Sequence, residues 1–217
     1  MNYLERLLNS IPGGAHTYSR GYDQFPSNAP QILEKGKGAY VWDPDGNSYL
    51  DYGMGLRSVT LGYAYPDVAK AAAEEIYKGN ALTRASLTEL EAAELMISLI
   101  PGAEMVKFAK NGSNVTTAAA KVARSFTGKN YICVPRQHPF FSFDDWFIGS
   151  TVMSKGVPEQ HMSNTLVFDY GDISSLKKLF DEHPNQIAGV MLEPSTTDTP
   201  CNTNCGNALS YEEPCYK

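Results

Sequence analysis

The sequence predicts an α/β protein with a mainly parallel sheet covered by helices, preceded by a small α+β segment. Three observations carry that class. From residue 104 onward short apolar runs alternate with segments of helical period, the strand–helix–strand rhythm that builds parallel sheets. Ahead of them, two alternating runs flank Pro44-Asp45-Gly46-Asn47, a turn set by the fixed φ of Pro and the permissive backbone of Gly. The composition is that of a globular chain with enough apolar material for a sizeable core: 217 residues, 42% hydrophobic and 19% charged.

The elements follow in order. Tyr3, Leu4, Leu7, Leu8 and Ile11 recur at helical spacing, and Pro12-Gly13-Gly14 ends that segment. Residues 31–35 and 39–43 alternate as strands, and residues 48–52 return after the turn as the second arm of a hairpin. A helix is expected over residues 68–78, closed by Gly79. Ser86-Leu87-Thr88-Glu89 opens the next helix with a capping box, a hydroxyl at the cap and a carboxylate three residues on. After Pro101-Gly102 the expected order is strand 104–109, helix 113–126, strands 130–134 and 165–168, helix 173–182 and strand 186–192. Residues 1–65 read as the N-terminal part of a small domain, and residues 66–217 as the first part of a large α/β domain. The polar run from Pro194 to Lys217 brings no helix back to the sheet, which is the expectation for a sequence cut within a domain.

The net charge of −6 argues against broad nucleic-acid binding, which needs a basic footprint. No apolar run approaches the roughly 20 residues that span a bilayer. The opening Met1-Asn2-Tyr3-Leu4-Glu5-Arg6 lacks the basic and apolar regions of a secretory signal, so the cytoplasm is the expected address. Cys133 sits in an apolar run and reads as a buried thiol. Cys201, Cys205 and Cys215 have a C-x3-C-x9-C spacing that matches no common zinc pattern, so no metal site is assigned.

One segment carries site chemistry. Lys110-Asn111-Gly112-Ser113-Asn114 follows an expected strand and opens a helix. Backbone N–H groups and the positive dipole end favour an anion there, and Gly112 lets a phosphate approach the main chain. Ser113 adds a hydroxyl donor. The same residues also fit a plain N-cap turn.

In order along the chain, several motifs resemble the class III aminotransferases, above all their glutamate-1-semialdehyde aminomutase branch. They are Ile11-Pro12-Gly13-Gly14, Gly38-Ala39-Tyr40-Val41-Trp42-Asp43-Pro44-Asp45-Gly46-Asn47, the Asn111-Gly112-Ser113 turn with Ala123-Arg124 and Thr127-Gly128-Lys129, and Val190-Met191-Leu192-Glu193-Pro194. The resemblance implies a fold-type I pyridoxal-phosphate (PLP) enzyme. It would move an amino group on a small carboxylate-bearing amino compound, by aminotransferase or by intramolecular aminomutase chemistry. It places the cofactor phosphate at Asn111, Gly112 and Ser113, a stacking ring at His138 or Phe140, Glu193 near the cofactor, and Arg20 on the substrate carboxylate, with Arg57 as a weaker alternative. A full-length relative would be a homodimer.

Departures from the family pattern are equally informative. The family's Ser-Gly-Thr-Glu-Ala loop reads Asn111-Gly112-Ser113-Asn114-Val115 here, and Phe141 to Phe147 is unlike the parent branch, which points to a different substrate. The family's pyridine-facing aspartate and Schiff-base lysine lie beyond Lys217. No catalytic residue is therefore assigned, and the 217 residues are expected not to transaminate alone. A fragment that keeps the phosphate site without chemistry is the reading from another class. Asp144 and Asp145 look like an acid pair but fit a turn or helix cap better.

Overall fold

The computed structural model describes residues 2–79, 81–137 and 140–193, which fall into two compact units, Met1–Leu90 and Glu91–Lys217. Each is taken separately.

The first unit opens with α1 (Tyr3–Ser10). Asn2 Oδ1 accepts the Glu5 N–H at 2.8 Å and the Asn2 N–H donates to Glu5 Oε2 at 2.9 Å, a reciprocal cap that meets two of the donors a helix start leaves open. Three short strands follow, β1 (Lys35–Lys37), β2 (Tyr40–Trp42) and β3 (Ser48–Leu50), antiparallel in that order. Tyr40 pairs with Leu50 and Trp42 with Ser48 across the expected hairpin, while Asp43 accepts from the Asn47 N–H and side-chain amide.

The first strand is displaced from the expected residues 31–35 to 35–37. Gly38, at φ +59°, makes the tight link to β2, and Gly36 can stand in a strand because the Tyr63 ring occupies the space of its missing side chain. Next comes a short helical turn of left-handed sense, α2 (Met54–Arg57), with φ from +46° to +70°. The Asp51 carboxylate caps the approach to it by accepting the Gly53 N–H at 2.8 Å. Helix α3 (Pro66–Lys78) starts two residues earlier than expected, because Pro66 is preorganised for a first helical position. Helix α4 (Leu87–Leu99) carries the capping box as read: the Ser86 N–H donates to Glu89 and the Glu89 N–H to Ser86 Oγ.

The second unit is built on a parallel sheet. Helix α5 (Gly112–Thr127) ends at Gly128, whose φ of +68° suits the left-handed cap position. It leads directly into β4 (Tyr131–Pro135), the central strand. After the short helices α6 (Asp145–Ile148) and α7 (Glu159–Met162) come β5 (Thr165–Phe168), α8 (Ile173–Glu182) and β6 (Ile187–Val190), giving the order β5-β4-β6 with both pairings parallel. Because strand side chains alternate, β4 feeds two cores. Ile132 and Val134 pack with Ala120, Trp146 and Phe147, and Cys133 packs with Phe168, Leu176 and Ile187.

One expected strand is absent. Residues 104–109 join no sheet among the described residues, and Met105 is 90% exposed. A strand must hand its N–H and C=O groups to a neighbour. The described sheet is β5-β4-β6, and residues 104–109 pair with neither of its outer strands.

Candidate functional site

Helix α5 runs into β4 through one tight turn, so its first residues stand at the edge of the sheet where β4 ends. This carboxyl edge is where open parallel sheets hold ligands. Asn111 is extended, at φ −154° and ψ 175°, and its Oδ1 accepts the Asn114 N–H at 3.0 Å. The side chain is thus the N-cap of α5. Asn111 shapes the turn, and the backbone is left to face a ligand. Among the described residues the N–H groups of Gly112 and Ser113 donate to no protein acceptor, and a Cβ added at Gly112 would meet nothing within 4 Å. Ser113 is buried; its Oγ accepts the Phe143 N–H at 3.3 Å, which leaves its proton for another acceptor. Two N–H donors, one hydroxyl and open space beside a glycine fit a phosphate.

The chain after β4 folds back over this turn. Thr116 Oγ1 donates to the Phe141 carbonyl at 2.7 Å, and Phe141 meets the Phe147 ring edge-on at 5.3 Å between centroids. Phe140, one residue before, makes a T-shaped contact with Phe147 at 6.2 Å and remains 53% exposed, so its ring is anchored on one side and open on the other. His138, the alternative stacking ring, lies outside the described residues, as do Cys201, Cys205 and Cys215.

Asp144 and Asp145 are not an acid pair. Asp144 Oδ2 accepts from Thr117 Oγ1 at 2.6 Å, whereas Asp145 Oδ2 meets His161 Nδ1 at 2.6 Å. Glu193 is exposed and follows β6, and the Met191 N–H still pairs with the Cys133 carbonyl, so Glu193 leaves the sheet at the same carboxyl edge. Arg20 ends a 3-10 turn (Tyr18–Arg20) in the first unit and is exposed. Its charge acts on Tyr63, opposing the rise in that hydroxyl's pKa caused mainly by the hydrogen bond to Asp51. Arg57, also exposed, ends the left-handed turn.

Sequence reasoning missed Thr117, Ser142 and Trp146, which join Asp144 in a hydrogen-bonded cluster behind the turn. Their separations of 25 to 29 residues carry no local signal.

Fold and site together define an α/β protein with a parallel sheet and a helix start whose first N–H groups face open space. The chain belongs to the class III aminotransferases, whose family model matches residues 18–203. A glutamate-1-semialdehyde 2,1-aminomutase of Syntrophomonas wolfei subsp. wolfei is 34% identical over 198 residues, 87% of this chain and 46% of that protein. Among solved structures, an omega-transaminase from Sphaerobacter thermophilus superposes with a TM-score of 0.80 at 24% identity, over 89% of this chain and 46% of its own. The FumI protein of Sphingopyxis sp. MTA144, solved in a PLP form, gives 0.79 at 28% identity over 87% and 44%. The chain therefore spans about half the length of the relatives it matches. Pyridoxal phosphate is the cofactor these similarities indicate.

Proposed function

We propose that these residues form the cofactor-holding part of a PLP-dependent aminotransferase that acts on a small amino compound bearing a carboxylate. The observation that carries the reading is the α5 start: the Gly112 and Ser113 N–H groups lack protein acceptors among the described residues, beside open space at Gly112. When bound, the cofactor supplies an electron sink for amino-group chemistry. The chain's own residues hold and orient. The Gly112 and Ser113 N–H groups and the Ser113 hydroxyl take the phosphate, while Phe140 or His138 covers the ring face. Glu193 stands at the same sheet edge, and Arg20 is assigned the substrate carboxylate, which a guanidinium fork grips bidentately. The expected homodimer and cytoplasmic address belong to this reading. Among the described residues no helix is long and apolar enough to cross a membrane.

Similarity to the Syntrophomonas aminomutase favours intramolecular transfer as the second reading. Either way, residues 1–217 are assigned holding rather than turnover. The test is calorimetric titration of the 217-residue chain with pyridoxine 5′-phosphate and with pyridoxine, which lack the aldehyde and cannot label stray lysines. Saturable binding that depends on the phosphate is expected, and equal affinity for the two defeats the reading. Borohydride reduction after adding pyridoxal phosphate checks the second part: an adduct on one lysine, with turnover, overturns the assignment of holding alone.

A further inference from the structure

Behind the phosphate turn lies a cluster whose proton arrangement can be worked out. An indole N–H only donates and an ionised carboxylate only accepts. Thr117 Oγ1 stands 2.7 Å from Trp146 Nε1 and 2.6 Å from Asp144 Oδ2, so it accepts from the indole and spends its single proton on the carboxylate. Ser142 has one proton and two acceptors in reach, the Thr117 hydroxyl at 3.1 Å and the Ser113 carbonyl at 3.5 Å; it serves the nearer one, and it accepts the Asp144 N–H at 3.0 Å. All of Thr117's hydrogen-bonding capacity is used. Ser142 is 0% exposed and Trp146 8%, and the Trp146 ring packs with Ala120, Ile132, Val134 and Phe147 over the central strand. The Thr165 hydroxyl of β5 also donates to the Trp146 carbonyl. The cluster thus ties one turn of α5 to the sheet core and to the 141–144 segment, whose Phe143 N–H is the group that bonds Ser113 Oγ.

We propose that Thr117, Asp144 and Trp146 are positioning residues for the cofactor phosphate: their hydrogen-bonded cluster fixes residues 141–144 against α5, so that the Phe143 N–H occupies a Ser113 lone pair and the Ser113 proton is kept for the phosphate. None of the three touches the ligand. This inference rests on the phosphate reading given under Proposed function. The Ser113 hydroxyl is held by the neighbouring main chain at Phe143.

The test compares pyridoxine 5′-phosphate with pyridoxine on the full 217-residue chain and its Thr117→Val, Thr117→Ser and Asp144→Ala variants, by calorimetry. Losing a charge-assisted hydrogen bond that presets Ser113 predicts about a tenfold weaker binding of the phosphate ester in Thr117→Val and Asp144→Ala. Pyridoxine binding is expected to stay the same, and Thr117→Ser to restore wild-type affinity. A structural role alone would weaken both ligands together. If Thr117→Val loses its cooperative melt, Asp144→Ala, which leaves the Trp146–Thr117 bond in place, carries the comparison with the same two outcomes. Wild-type selectivity for the ester with unchanged variants overturns the positioning role and leaves the phosphate reading standing. Absence of selectivity in the wild type removes the phosphate reading, and the positioning role goes with it.

Discussion

The Tyr63 hydroxyl donates to Asp51 Oδ2 at 2.5 Å, while Asp51 Oδ1 accepts the Gly53 N–H at 2.8 Å. One carboxylate therefore joins the end of the hairpin to the left-handed turn and to a tyrosine 12 residues away. The Tyr63 hydrogen bond, helped by the N–H groups of the turn and opposed by burial, holds the Asp51 pKa below its usual value. A depressed carboxylate pKa stabilises the fold at pH values above the unfolded pKa of about 4 and loses that contribution as pH falls through the lower folded value. Removing the hydroxyl in Tyr63→Phe is expected to cost about 1–3 kcal/mol at pH 7. The difference from wild type should narrow as the pH drops below about 4, where the unfolded carboxylate is already protonated. Urea unfolding at pH 7 and pH 3 measures this, and a pH-independent gap would show that the hydroxyl acts through packing alone.

The same tyrosine explains a glycine inside a strand. A Cβ built at Gly36 would lie 2.5 Å from Tyr63 Cγ, 2.8 Å from its Cβ and 2.9 Å from its Cδ1. The clash is with the stem of the ring, which cannot swing away by a terminal torsion. Gly36→Ala should destabilise the first unit by about 1–3 kcal/mol, the usual cost of overpacking. Thermal melts of a double-mutant cycle with Tyr63→Gly locate the cause: the penalty at Gly36 should vanish once the Tyr63 side chain is gone.

Cys133 sits on the central strand at 0% exposure, and burial pushes its thiol pKa up to about 11. A raised thiol pKa means that the neutral form is favoured in the fold. Its contribution is complete below the unfolded thiol pKa of roughly 8.5 and is lost as pH climbs through about 11. Alkylation of Cys133 by iodoacetamide at pH 8 should therefore be slower by orders of magnitude in the folded chain than in urea, because the thiolate is the reactive form. Peptide mapping separates it from Cys201, Cys205 and Cys215. Rapid labelling of Cys133 under native conditions would contradict its place in the core.

Local rules explain what the sequence revealed and long-range pairing explains what it hid. The Ser86–Glu89 box and the Pro44–Asn47 turn are set by residues within four positions of one another, and each stands where it was expected. Burial on both faces gives β4 a continuous apolar run, so it too was legible. Residues 104–109 carry a strand's composition, but strand pairing is long-range, and this segment stays outside the described β5-β4-β6 sheet. Asn111 was read as a phosphate residue or a plain N-cap from one motif, and the Asn114 bond shows that its Oδ1 caps the helix. The Thr117–Trp146 bond spans 29 residues with nothing between them to announce it.

Gly112 offers the cleanest separation between a residue kept for the fold and one kept for a ligand. Its backbone is not in the left-handed region, and a Cβ there meets no atom of the described residues within 4 Å. Among the described residues nothing requires glycine at this first position of α5. Alanine is the better helix former, so Gly112→Ala should leave the melting temperature unchanged or raise stability by up to about 1 kcal/mol. A methyl group in that open space, however, stands where a phosphate would approach the main chain. Pyridoxine 5′-phosphate should bind about tenfold more weakly to the variant, about 1.4 kcal/mol, while its circular dichroism matches the wild type. A loss of affinity with stability retained is the signature of a ligand-contact glycine. Unchanged affinity would show that the space beside Gly112 is not where the phosphate sits.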